Sequence, residues 1–295
     1  MSPYAALVSG VIGISTGAIF ARLAQAPSLV IAAYRVGLAA AMLFPVTLLL
    51  YRKELFSLKR GDLAQLAAAG FFLALHFAAW IASLSCTTVA NSVVLVNTNP
   101  LWVGLLAPVV AKERIHRLAK LGIILSLAGV MVLAVGDFSS GEQALKGDLL
   151  AVAGGFCAAV YILFGRRLRR RLSLMVYVTL CYGSAALFLW AGVLATGSPA
   201  AGYTSQTWIY FWAMAIIPQI IGHTSYNWAL RWLSASMIAV SLLGEPVGSS
   251  LLAYLIFGER PGMSTLSGGV LILVAIYITA SGENKTNGYG GQDEL

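Results

Sequence analysis

Phe72, His76, Trp80, Ser83 and Thr87 recur at steps of four, four, three and four, so on a helix they share one face. A second run, Gln219, His223, Tyr226 and Asn227, carries the same residue types on another stretch. Imidazoles beside aromatic rings can hydrogen-bond the polar end of a ligand and hold an apolar or ammonium-bearing part against a ring face. A buried His can also do no more than bond a neighbouring helix. Asn97, Asn99 and Trp102 cluster around Thr98, and Asn99 and Glu245 each precede a proline, Pro100 and Pro246. A proline inside a helix lacks its N–H, frees a carbonyl one turn earlier and opens the helix there. Glu245 is the acid set deep in an apolar run and Arg35 the base set in one, while Tyr161 lies in the middle of another. Burying a carboxylate charge is costly, which makes Glu245 a candidate for coupling or gating; Arg35 either pairs with it or reaches for a headgroup region. With only three His and no converging nucleophile, base or metal-ligand set, neither catalysis, a metal nor a cofactor is expected.

The elements that carry these residues are apolar throughout. Hydrophobic residues make up 59% of the chain and charged ones 10%, and the mean hydropathy is +0.83, which excludes a water-soluble domain. About 20 apolar residues span a bilayer core. Ten such stretches follow one another, at 4–24, 28–50, 62–85, 88–110, 117–135, 147–166, 173–195, 206–229, 233–257 and 264–282. They are continuous rather than alternating, so each reads as a helix that satisfies its own backbone hydrogen bonds, and not as a barrel strand. The expected fold is an all-α integral membrane protein with ten transmembrane helices. Met1–Tyr4 lacks a basic n-region, so the first stretch reads as a retained span rather than a cleaved leader. Cys86, Cys157 and Cys181 have no metal-ligand spacing and read as small apolar residues. Gly10, Gly13 and Gly17 permit close helix approach.

Pro100, Glu113, Arg114 and Gly122 reappear 146 positions on as Pro246, Glu259, Arg260 and Gly268, with Leu105, Leu106 and Ala107 matching Leu251, Leu252 and Ala253. The chain therefore reads as duplicated, 1–138 and 139–282, followed by a disordered cytosolic tail at 283–295. Trp80 maps onto Tyr226, Asn99 onto Glu245, and His76 falls one position from the equivalent of His223. Basic residues crowd alternate loops: Arg52, Lys53, Lys59 and Arg60; Lys112, Arg114, Arg117 and Lys120; Arg166, Arg167, Arg169, Arg170 and Arg171. The positive-inside rule then puts both termini in the cytoplasm, and the net charge of +8 is a topology signal rather than a nucleic-acid footprint. Five spans per half make the second half enter from the opposite side, so the repeats are inverted. The Glu113–Arg114 and Glu259–Arg260 pairs read as turn closures at helix ends. Duplicated membrane halves mark alternating-access transporters, whose site lies between the repeats near the midplane.

The segment Asn99, Pro100, Leu101 followed by Lys112, Glu113, Arg114, and its echo Glu245, Pro246, Val247 followed by Gly258, Glu259, Arg260, Pro261, resembles the drug/metabolite transporter superfamily, specifically EamA-like exporters. Pro27, Ala33, Tyr34 and Arg35 resemble that family's second-helix pattern, and Gly147, Asp148 and Leu149 the start of its second repeat. The resemblance runs to about Gly282. It implies a ten-helix exporter of two inverted five-helix repeats with a central cavity, in the inner (cytoplasmic) membrane of a bacterial cell, in a group that includes amino-acid exporters.

The expected substrate is an amino acid or a related metabolite, bound at His76, Trp80, Asn97, Asn99, Trp102, Tyr161, His223, Tyr226 and Asn227, with Glu245 and Arg35 in coupling or gating. The partners are that small molecule and the lipid bilayer, with no nucleic acid. Proton antiport through Glu245 or His76 and uncoupled exchange both stay open. A nucleotide-sugar or other metabolite or drug translocator is the alternative, although phosphate would call for several intramembrane Lys or Arg and this chain has Arg35. An intramembrane transferase lacks its cluster.

Overall fold

The computed structural model describes residues 2–87, 89–134, 142–257 and 262–289. Its regular structure among these residues is helical. In chain order the helices are α1 (Pro3–Ser15), α2 (Gly17–Leu23), α3 (Ser28–Leu50), α4 (Arg52–Phe56), α5 (Arg60–Ser83), α6 (Val89–Val96), α7 (Asn99–Val110), α8 (Arg117–Ala134), α9 (Glu142–Arg169) and α10 (Leu174–Ala195). Then come α11 (Ser205–Met214), a π-helical segment Ala215–His223, α12 (Thr224–Ala229), α13 (Ala235–Leu242), α14 (Gly244–Phe257) and α15 (Met263–Tyr289). Several starts are written in the sequence: the side chains of Ser2, Ser173, Thr204 and Ser234 accept from the backbone N–H three residues on, and Pro3 opens α1.

Seven stretches are long and apolar enough to cross a membrane among the described residues, against ten expected. The difference falls on 117–134, which adjoins undescribed residues, on 205–229, where the π segment and its polar residues interrupt the run, and on the last helix, whose apolar part is Leu266–Gly282. That last helix continues to Tyr289, past the end expected at 282, while 290–295 and the Glu259–Arg260 pair lie outside the described residues. The outside of the bundle is apolar: Leu49, Val109, Leu187, Leu194 and Tyr277 are exposed, whereas Arg35, Arg169, Asn97, Gln219 and Asn227 are buried. This inversion of the soluble pattern is what lipid requires.

α3 packs on α10 and α8 on α15. α5 packs on α9 as α1 packs on the π segment and α12; α7 packs on α9 as α1 packs on α14; α6 meets α8 as α13 meets α15. Small residues allow these contacts. A Cβ at Gly13 would stand 2.9 Å from the backbone N and Cα of Gly222, so α1 and the π segment touch main chain to main chain.

The basic loop end is a network rather than a lipid-facing fringe. Two residues past the end of α7, Lys112 adopts the left-handed region (φ 54°), and the following N–H of Glu113 turns back to Ala107 O at 3.2 Å. This aims the Glu113 carboxylate across the bundle, where it accepts from Arg166 Nε at 2.5 Å, Arg170 Nη2 at 2.8 Å and Ala235 N at 3.1 Å. Arg166 also caps the carbonyls of Leu230 and Arg231, and buried Arg169 those of Asn227 and Leu172. Asp62 pairs with Arg171, and Glu54 accepts from Ser173 N at 2.7 Å at the start of α10. Glu113 therefore bonds the arginine cluster of the other half and not its neighbour Arg114, correcting the turn-closure reading.

Both contacts can be tested by thermal unfolding of the purified protein. Glu113→Ala, which strands two arginines, should lose about 3 kcal/mol, whereas Arg114→Ala should stay within about 0.5 kcal/mol; equal losses would contradict the network. Gly13→Ala forces main chains apart and should cost about 1–3 kcal/mol, while Gly183→Ala, where a Cβ meets nothing within 4 Å, should cost nothing.

Candidate functional site

Three interruptions of helical geometry meet at one place inside the bundle. α6 ends at Val96 and α7 begins at Asn99; α13 ends at Leu242 and α14 begins at Gly244. Each break comes just ahead of the proline that causes it, Pro100 or Pro246. The third is the π segment around Pro218, whose wider turn brings Gln219 and His223 inward; π turns of this kind recur at functional sites. A continuous helix was expected there, and Pro218 was the signal against it.

Two adjoining cavities, each roughly 30 Å³, lie between these breaks, and His76, Val96, His223, Glu245 and Ile14 line both. Arg35, Phe77 and Trp80 complete one; Asn97, Asn99, Tyr161 and Tyr226 with Ala158, Ile162 and Leu242 complete the other. The volume admits about a water each, so a metabolite needs the walls to part. The structure thus brings together nine of the residues singled out in the sequence. Trp102 of α7 is outside both linings, edge-on to Phe156 of α9 at 5.5 Å between ring centroids. Asn227 is one layer behind, donating to Tyr161 Oη at 2.5 Å and to Tyr182 Oη at 3.2 Å.

His76 Nδ1 lies 3.0 Å from Gly154 O; a carbonyl only accepts, so Nδ1 carries the proton and Nε2 is left to accept when the ring is neutral. The His76 ring is parallel to Trp80, with centroids 6.1 Å apart, and 6.4 Å from the His223 ring. His223 Nδ1 is bonded to Tyr226 Oη. The Asn97 amide donates back into α6 at Val93 O at 2.8 Å, and weakly to Glu245 Oε2 at 3.4 Å.

Arg35 is where sequence reasoning needs correcting. Its side chain is 1% exposed and does not reach a headgroup region. Nor does it pair with Glu245: among the described residues the ion pairs are those of Glu113 and Asp62. Instead Nε donates to Gln219 Oε1 at 2.9 Å, the guanidinium carbon stands 4.1 Å from the Phe77 ring centroid, and Nη1 has no hydrogen-bond partner. Tyr182, which joins the Asn227 layer and contacts Thr224 at 3.2 Å, was missed, although as a tyrosine in mid-span it carried the same signal as Tyr161. The apolar walls Ile14, Phe77 and Val96 gave no signal, since such residues fill every span.

A crystal structure of another protein superposes with a TM-score of 0.76 at 19% identity, covering 96% of this chain and 98% of that one, which establishes the fold likeness alone. Among curated sequences, an uncharacterized transporter of Archaeoglobus fulgidus is 24% identical over 76% of this chain and 77% of its own length. The uncharacterized transporter YyaM of Bacillus subtilis is 23% identical over 89% of this chain and 87% of its own. A probable amino-acid metabolite efflux pump of Salmonella typhimurium is 27% identical over 59% of this chain and 61% of its own. The model of the EamA-like transporter family matches twice, over residues 1–135 and 145–281, and so takes in nearly the whole chain. With buried polar side chains gathered between those two matches, the chain belongs to the EamA-like transporter family.

Proposed function

We propose that the protein is a secondary transporter rather than an enzyme, exporting amino acids or related metabolites by alternating access around the cavity at His76, His223 and Glu245. The observation that carries this reading is that polar side chains of both matched segments line one buried space where three helices are broken. The relative described as an amino-acid metabolite efflux pump supports the substrate class. The paired contacts, α5 on α9 with α1 on the π segment and α6 on α8 with α13 on α15, support two inverted five-helix repeats, 1–138 and 139–282, and ten spans. The basic loops support cytoplasmic termini in the inner membrane. Glu245, the acid at the cavity, is the proposed site of proton coupling; His76, Trp80, Asn97, Asn99, Tyr161, His223 and Tyr226 form the binding wall, and Asn227 supports Tyr161 from behind. Trp102, which lines neither cavity, is left out of that wall.

The reading is tested with the purified chain in liposomes and a panel of radiolabelled amino acids, with and without an imposed pH gradient. Saturable flux of at least one amino acid is expected, abolished in Ala158→Leu, whose added carbons fill the cavity. Glu245→Gln should remove the response to the gradient. A folded protein that moves no amino acid in the panel would overturn the substrate class, and undiminished flux in Ala158→Leu would move the pathway away from this cavity.

A further inference from the structure

Resting on the amino-acid reading, we infer that the cavity is built for a zwitterion, with Arg35 holding the carboxylate and Glu245 the ammonium group. A guanidinium in a membrane interior is expected to be neutralised by an acid, because an unpaired buried charge is costly. Arg35 is buried, yet no carboxylate of this chain lies within ion-pair distance of it among the described residues. Its plane is set by a neutral group, since Nε bonds the Gln219 carbonyl oxygen at 2.9 Å, and by the Phe77 ring 4.1 Å beneath it. What these contacts leave over is Nη1, buried and without a hydrogen-bond partner, on a side chain that lines the cavity. A planar fork with a spare N–H suits a carboxylate better than any other common group.

The opposite pole is on the same cavity. Glu245 lines it too, and the hydrogen bond it receives, from Asn97, is long at 3.4 Å. A carboxyl so weakly held can take a hydrogen-bonding cation. The two poles come from α3 and α14, one from each of the two matched segments, and the His76, Trp80 and Phe77 rings line the same cavity. An acidic metabolite without an amine would leave Glu245 uncovered, and an amine without an acid would leave Arg35 uncovered. A neutral α-amino acid covers both, and draws Arg35 and Glu245 into one ligand without their meeting directly.

The test is equilibrium binding to the purified full chain. All twenty protein amino acids are screened, and the tightest ligand is compared with its des-amino acid and its decarboxylated amine; for leucine these are 4-methylpentanoate and 3-methylbutylamine. Each lost pole removes a charge-assisted hydrogen bond, so both analogues should bind at least about tenfold more weakly. Arg35→Gln should make the amino acid and the amine equal, Glu245→Gln should make the amino acid and the des-amino acid equal, and Arg35→Lys should restore part of the first preference. An amino acid that binds no better than its two analogues would overturn the two-pole assignment and leave the transporter reading standing, as would variants that weaken all three ligands alike. Absence of binding by any of the twenty, in protein that unfolds cooperatively, would overturn both. The comparison of analogues on the unaltered protein keeps the assignment testable should a variant fail to fold.

Discussion

Hydrocarbon offers no hydrogen bonds, so every backbone group that a helix fails to satisfy has to be satisfied by protein. That constraint decides where this chain can depart from regular helix. Three of its departures among the described residues, the gap at Asn97–Thr98, the turn at Leu243 and the π segment around Pro218, adjoin the cavities. Side chains add bonds beside two of them: the Asn97 amide donates back into α6 at Val93 O, and Thr224 Oγ1 reaches back to Gln219 O at 3.4 Å. The polar surface of the site is thus a consequence of placing the breaks together. A single break on the lipid side would have no such compensation.

The two ends of the bundle are held by different chemistry. At the end with the basic loops, Glu54, Asp62 and Glu113 each bond a group at 166–173, and Glu113 also reaches the start of α13. At the other end of α3, Tyr34 sits among Trp190, Trp208 and Phe211, with ring centroids 4.5–5.0 Å apart, and donates to Ala200 O at 2.6 Å. Charge pairs are few in number but directional, and exchanging one set for another needs discrete rearrangement; aromatic faces slide and tilt more readily. Arg35 follows Tyr34 directly on α3, so the aromatic cluster and the guanidinium at the cavity are held by neighbouring residues.

Much of this was legible in the chain. Runs of apolar residues located the helices to within a few positions, because a spanning helix must be apolar over its full length and its ends must carry caps such as Ser173 and Ser234. The His76 and His223 stripes found the cavity, since a polar side chain in a span is costly unless it faces one. Trp102 shares the helix spacing but not the cavity lining: its ring lies edge-on to Phe156 instead. The arginine cluster was legible as a positive loop, but nothing local reveals that Glu113, more than 50 residues earlier, would lie against it. Long-range pairing of charges is a property of packing and leaves no periodic trace.

On the proposed reading, Glu245 ties the geometry to a transport cycle. A carboxylate that holds a ligand's ammonium group in one arrangement faces a low-dielectric wall of Ile14, Val96 and Leu242 once the ligand leaves. The smallest cation able to cover it there is a proton. On the proposed reading the two occupants exclude each other at one side chain, and mutual exclusion at a shared site suffices for exchange in opposite directions. No second acid is then needed, which fits a cavity where Glu245 is the acid among the lining residues. On the same reading Arg35 holds the ligand's carboxylate from the other side, so that ligand and proton compete at Glu245 while Arg35 answers to the ligand alone.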